Sequence, residues 1–356
     1  MSEEVYFFPS DRNESSDIIA EKTHKVFSKL GLFRDITTGD FVALKIHFGE
    51  QENTGFIKPV WLAEVVKDLL KRKSRPFYTD SNTLYVGSRS NAVDHLRLAG
   101  QHGFSLKETR IPVVIADGLI GRDDFEVSVN LPHVKSAKIA GAFKDSDYLL
   151  CLNHFTGHLS TGFGSAIKNL GMGCASRAGK LEQHSHVHPW INPKVCTNCG
   201  TCLEYCPADA IVQEEDNAVI LEDKCIGCGE CVVVCSYNAA KFRWDSDFKR
   251  VQEKMSEYAF STWSLYKKKA GFMSFLMKVT KDCDCMAKDQ PVIVEDIGIL
   301  GSNDLVALDK ASVDMIIKKA GRDVLRDGYD VDWNIQLEHA EKIGLGRREY
   351  KLVELS

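Results

Sequence analysis

The sequence predicts an α/β protein, a mainly parallel sheet flanked by helices, into which a small α+β unit of different character is inserted. Three observations predict it. Short apolar runs alternate with amphipathic stretches from Phe41 to Asn153. FVALKIHF and YLLCLN within that interval are almost continuously apolar, as strands covered on both faces are. Between Cys196 and Cys235 this character gives way to a doubled cysteine pattern, and after it the apolar strand Val292 to Glu295 and the helix Leu305 to Lys319 resume. The α/β domain is therefore discontinuous, 1–187 and 248–356, around an insert of 188–247.

The elements follow in order. Ser15 or Ser16 caps a helix whose apolar residues Ile18, Ile19, Val26, Phe27 and Leu30 recur at helical spacing, with Gly31 as its stop. Phe41 to Phe48 is a strand. A helix follows Pro59, and Val60, Leu62, Val65, Val66, Leu69 and Leu70 give it a broad apolar face. Pro76 to Thr79 is a short strand ending at Asp80, Asn91 to Gly103 a helix, and Pro112 to Ala116 a strand stopped by Asp117-Gly118. A hairpin or edge section precedes the strand Tyr148 to Asn153. In such sheets ligands bind beyond the carboxyl ends of the strands. His47, Glu50, Asp80, Asp117, Asn153 and His154 fall there. Each alone reads as a turn former or cap; together they mark the mouth of a site.

The insert carries the most specific signal. VCTNCGTCLEYCP and KCIGCGECVVVCS each contain C-x2-C-x2-C-x3-C, displaced by 29 residues (225 − 196). This is the bacterial-ferredoxin spacing for two [4Fe–4S] clusters, in which each fourth cysteine crosses to the other cluster. It pairs Cys196, Cys199, Cys202 and Cys235 on one cluster, and Cys225, Cys228, Cys231 and Cys206 on the other. Zinc knuckles would leave the third cysteine of each triplet without a role. Ile211 to Gln213 and Ala218 to Leu221 form a hairpin, Lys241 to Trp244 an edge strand, and Asp245 or Ser246 caps a helix with Phe248, Val251, Met255, Tyr258 and Ala259 on one face.

Two stretches flank the insert. Asn153 to Pro189 is rich in glycine, and Ser165 can cap a helix carrying Lys168 and Asn169. A glycine loop entering a helix can bind an anion through free N–H groups, although a long surface loop with structural glycines has the same composition. Neither a Walker A loop nor a G-x-G-x-x-G after a strand is present, so a nicotinamide site has no support; flavin stays open. Beyond the insert, Cys283 and Cys285 are two apart, and extended residues two apart point to one side. His184, His186 and His188 alternate likewise. Cys283, Cys285, His184 and His186 are thus a candidate third site for iron or zinc, against the plainer reading of reduced, half-buried thiols and a polar loop. A dithiol closing on itself at this separation ranks below metal binding. Cys151 reads as packed core.

The motifs NHFTGH, AIKNLGMGCASR, CDC and DIGILGSNDLVALDKAS, with the cysteine repeat between them, resemble the ferredoxin-bearing branch of domain of unknown function family 362 from about Phe41 to Asp314. The resemblance implies an α/β domain interrupted by a cluster module, in an anaerobic or low-oxygen host. It implies no particular reaction.

A net charge of −5 over 356 residues argues against a general nucleic-acid or anionic-membrane binder. The N-terminus lacks the basic and apolar regions of a signal peptide, and Gly271 to Val279 is too short to span a bilayer. Oxygen-sensitive clusters suit a reducing cytoplasm. The expectation is an iron–sulfur redox protein that takes electrons from a carrier or partner redox protein through two [4Fe–4S] clusters. It delivers them to a small anionic substrate, or to a metal, at the α/β domain. His154, His158 and Lys168 are the catalytic candidates, with His47, Asp80 and Asp296 behind them. The alternatives are a non-enzymatic electron-transfer protein serving a partner reductase, and a metal-handling or assembly factor.

Overall fold

The computed structural model describes residues 2–85, 87–184, 189–206, 208–225, 231, 235–237, 239–242 and 247–356. An eight-stranded sheet is built from β1 (Glu3–Pro9), β2 (Phe41–Ile46), β3 (Arg75–Asp80), β4 (Val113–Ile115), β5 (Tyr148–His154), β6 (Ala270–Leu276), β7 (Gly298–Ser302) and β8 (Tyr350–Glu354). Their order across the sheet is β8-β1-β7-β6-β5-β2-β3-β4. Among these strands β7 alone runs antiparallel to its neighbours, so the sheet is mainly parallel.

Strand alternation separates two cores. Val42, Leu44 and Ile46 of β2 join Leu150 and Leu152 of β5 on one face, beneath α1 (Ser16–Lys29) and α2 (Ala63–Lys71). Ala43 and Cys151 point to the other face, against α4 (Ala166–Gly171), α6 (Phe248–Tyr266) and α7 (Leu305–Ala320). α3 (Ala92–Gln101) and α5 (Arg177–His184) lie between α2 and α6 in sequence. Each large side chain so buried contributes roughly 1.5–3 kcal/mol of transfer free energy. Cys151 is fully buried in that second core.

The first helix begins as expected, the Ser15 side chain accepting the Ile18 N–H at 3.4 Å. α6 is capped one residue later than expected, by Asp247, which accepts the Arg250 N–H at 2.9 Å. Three departures lie in the sheet. β1 was not legible, because EEVYFFP sits among acidic residues, yet Val5, Phe7 and Phe8 are buried. β6, buried along its whole length, lies between β7 and β5 in the middle of the sheet. Val292 to Glu295 is not a strand; Val292 makes one isolated bridge to Thr280, and the strand is GILGS, six residues on. Gly301 of this strand is there because a Cβ would press into the Val26 side chain of α1.

In the insert Ile211–Gln213 pairs with Ala218–Ile220 as expected. The edge strand is Ala240–Phe242, and it pairs antiparallel with Pro189–Ile191, so the two ends of the insert are joined to one another. Ile211, Ala218, Cys231 and Ala240 form its small core.

Candidate functional site

A cavity of about 270 Å3 opens at the carboxyl ends of β2, β3 and β5, where His47, Asp80, Asn153 and His154 line it. Three sets of side chains shape it.

The first is a buried charge network. Lys45, a lone lysine in an otherwise apolar strand, reaches Asp80 at 2.9 Å and donates to Asn169 Oδ1 at 2.5 Å. Arg89 donates to Asp80 Oδ2 at 3.2 Å and to Glu50 Oε2 at 3.3 Å, and also contacts the Tyr85 hydroxyl. Burial would raise the Asp80 carboxyl, but Lys45 and Arg89 outweigh it and hold the group well below the usual carboxylate range. Asn169 also donates to Leu152 O at 2.9 Å and Asn153 Oδ1 at 2.8 Å, which fixes α4 on β5. Such networks fix geometry more than they add net stability.

The second set faces the cavity without being consumed. Lys168 lines it, and no oxygen of a described residue accepts from its Nζ. Burial, with Arg89 and Lys45 nearby, pushes its pKa down to about 8. His158 Nδ1 accepts the Ser160 N–H at 3.3 Å, which leaves the ring proton on Nε2. Burial, then Lys168 and His184, hold this ring neutral; burial, then Lys168 and Lys180, push His184 to about 4. His47 Nδ1 accepts the Gly49 N–H at 3.0 Å, and burial keeps that ring neutral too. Lys180, by contrast, is engaged by Ser81 Oγ at 2.5 Å and Ala175 O at 2.7 Å.

The expected anion cradle is different from its sequence reading. Ser165 does not cap α4; its hydroxyl bonds Ser274 instead. Asp309 of α7 accepts the N–H groups of Ala166 and Ile167 at 2.8 and 2.9 Å, so the amides that a glycine-loop site would offer are already taken by a carboxylate. The cation at this point is Lys168.

The third set is the C-x-C segment. His154 donates from Nε2 to Met277 O at 2.9 Å and faces Asp284 Oδ2 through Nδ1 at 2.7 Å. Burial opposes charge on this ring, but the Asp284 carboxylate and the Met277 carbonyl outweigh it and raise its pKa. The Glu50 N–H donates to Asp284 O at 2.9 Å, and a Cβ at Gly157 would overlap the Lys281 carbonyl, so this segment packs closely on β5's extension. Cys283 and Cys285 are joined by a disulfide and both line the cavity. That is the closed pair ranked lower on sequence grounds; closed, it offers no thiolate to an ion. His184 lines the same cavity, and His186 lies outside the described residues.

Asp296 is elsewhere, paired with Arg12 at 2.7 Å and accepting the Lys278 N–H at 2.7 Å. Asp117 supports the site from behind, accepting from the Asn82 backbone and side chain at 2.9 and 2.8 Å. Lys45, Arg89 and Asp284 were not singled out from the sequence. Lys45 could have been, because a lysine inside a strand buried on both faces needs a partner.

In the insert, Cys196, Cys199, Cys202 and Cys235 line one small cavity. Amides point at the sulfurs: Ala218 N–H to Cys196 Sγ at 3.5 Å, Ala239 N–H to Cys235 Sγ at 3.2 Å, Ala210 N–H to Cys206 Sγ at 3.3 Å. Convergent thiols with N–H donors to sulfur suit an iron–sulfur cluster. Cys228 lies outside the described residues. His184, just before the insert, and Phe248, just after it, both line the larger cavity.

The model of the family described as domain of unknown function DUF362 matches residues 42–314. The chain belongs to this family. A tetrathionate reductase subunit of Archaeoglobus fulgidus is 41% identical over 54 residues, 14% of this chain and 26% of that protein. An uncharacterized ferredoxin of Methanocaldococcus jannaschii is 41% identical over 49 residues, 13% of this chain and 30% of that protein. The menaquinone reductase iron–sulfur cluster-binding subunit of Nitratidesulfovibrio vulgaris is 34% identical over 56 residues, 15% and 22%. The chain thus spans about a quarter of the length of these curated relatives. Among solved structures, the lactate racemase apoprotein of Thermoanaerobacterium thermosaccharolyticum aligns over 86% of this chain and 55% of that one, 12% identical with a TM-score of 0.40. Among the described residues no helix is long and apolar enough to cross a membrane.

Proposed function

We propose that this DUF362 protein is an iron–sulfur oxidoreductase that delivers electrons from a carrier or partner redox protein to a small anionic substrate in the cavity. The observation that carries the reading is the position of the insert's two ends. His184 and Phe248, where the chain leaves for and returns from the cysteine-rich insert, are both walls of that cavity. Cys196, Cys199, Cys202 and Cys235 would hold one [4Fe–4S] cluster, and Cys225, Cys228, Cys231 and Cys206 the other. Such clusters supply electrons one at a time.

The chain's own residues do the rest. Lys168 holds negative charge on the substrate, and the His158 Nε2–H donates to it. His154 and Asp284 hold a proton at the wall, ready for a product that gains electrons. Lys45, Asp80 and Arg89 keep the strand ends rigid around them.

The test is anaerobic. With the clusters reduced by dithionite and followed by their visible absorbance, small sulfur and nitrogen oxyanions are added in turn. The reading expects at least one to reoxidise the clusters, and Lys168→Met to slow that step by about tenfold or more. The names of the reductase-subunit relatives favour a second reading, an electron-transfer subunit for a partner reductase. It expects reoxidation by a partner protein and by none of the anions.

A further inference from the structure

We propose that the Cys283–Cys285 disulfide is the two-electron acceptor of the cavity, opened to a dithiol by electrons arriving singly and closed again when a pair is passed on. This deepens the electron-delivery reading and rests on it.

The placement carries the argument. Both cysteines line the cavity, in the same wall as His154, whose ring is 2.7 Å from the carboxylate of the intervening Asp284. A proton-holding pair is thus built into the sulfur pair by sequence. Stability does not explain this bond. Cross-linking restricts the unfolded chain by an amount that grows with the logarithm of the loop it closes, and a separation of two residues closes the shortest of loops. Among the described residues no other thiol lines the cavity wall, and Cys151 and Cys174 are fully buried in the core beyond. A disulfide that staples nothing, yet faces a cavity beside a proton donor, is placed for chemistry.

The step balances. The S–S bond breaks and two S–H bonds form, consuming two electrons and two protons. The electrons come one at a time from a low-potential iron–sulfur donor. One proton comes from the His154–Asp284 pair, which is refilled from solvent, and the other from solvent. The dithiol then yields both electrons and both protons to a two-electron acceptor and re-forms the disulfide. A pair of one-electron carriers is thereby converted to a two-electron delivery.

The experiment uses the full chain, purified anaerobically with its clusters, and reduced with methyl viologen radical. Iodoacetamide then traps free thiols, and the peptide containing Cys283 and Cys285 is weighed. The peptide should be unlabelled before reduction and doubly labelled after it. The parent should take up two more electrons than Cys283→Ser/Cys285→Ser, whose cluster spectra stay parental. In Cys199→Ser/Cys225→Ser, which disrupts both clusters, the same donor should leave the peptide closed. A peptide that stays closed while the clusters reduce fully overturns the relay and leaves electron delivery standing. So does a pair that is isolated as a metal-bound dithiolate. Clusters that fail to form or to reduce overturn electron delivery itself, and the relay with it.

Discussion

His154 and Asp284 meet at 2.7 Å although 130 residues separate them, one ending a central strand and the other lying between two bonded cysteines. The pair is almost wholly buried, and the other His154 nitrogen is taken by the Met277 carbonyl. Among the described residues neither charge has another partner of opposite sign in direct contact. Asp284→Asn should therefore cost about 3–5 kcal/mol, the penalty for stranding one member of a buried pair. Urea denaturation of parent and variant, under identical redox conditions, measures it. A loss below about 1 kcal/mol would mean that the ring is neutral in the folded protein.

Asp80 gives a parallel case with different consequences. It is the common acceptor of Lys45 and Arg89, and Asp80→Asn leaves two buried cations short of one negative charge. The expected loss is again about 3–5 kcal/mol. Glu50→Gln should cost less, because Asp80 still holds Arg89. Equal losses for the two variants would show that the network is not centred on Asp80.

Lys168 sets a pH window. Its pKa lies near 8, lowered from 10.5 by burial and by Arg89 and Lys45, with Asp284 and Asp80 acting in the opposite sense. A depressed lysine is cationic below that value and loses its charge above it. Sulfate, which does not titrate in this range, should bind with constant affinity below about pH 7 and progressively more weakly above pH 8. Lys180 titrates in the same range, but its ammonium is engaged by Ser81 and Ala175. Calorimetry on Lys168→Met should show weak binding and a flattened pH profile. The variant should be at least as stable as the parent at pH 7, since a buried cation that costs free energy is gone. A profile unchanged by the substitution would assign the anion site to another group.

The sheet was legible where burial on both faces leaves a continuous apolar run, as in β2 and β5, and where caps are local, as at Ser15. It was not legible where neighbours decide. β1 is a strand because β7 and β8 pair with it on either side, and in β7 Gly301 is required by α1 and Gly298 by the backbone of β1. The site divided in the same way. His154, His158, Lys168, Cys283, Cys285 and His184 all line one cavity; His154 was marked by its place after a strand end, His158 and Lys168 by the glycine-rich stretch, and the others by their alternation. Arg89 gave no signal, because it comes from a loop whose approach to Asp80 is a tertiary fact. Asp309, which occupies the helix start expected to face an anion, comes from a helix more than a hundred residues on.

The insert's crossing rule makes a separable prediction. Cys235→Ala should damage the cluster held by Cys196, Cys199 and Cys202, with which Cys235 shares a cavity. Cys206→Ala should damage the one held by Cys225, Cys228 and Cys231. Paired spectra of the two variants, each compared with loss of one near triplet, distinguish this from local closure. Damage confined to the variant's own triplet would mean that each motif completes its own cluster.

The most direct measurement is iron, acid-labile sulfide and zinc on anaerobically purified protein, with electron paramagnetic resonance after reduction by a low-potential donor. The account predicts about eight irons and eight sulfides per chain, and the signals of two reduced [4Fe–4S] clusters. About two zinc ions per chain with no sulfide and no reducible signal would contradict it.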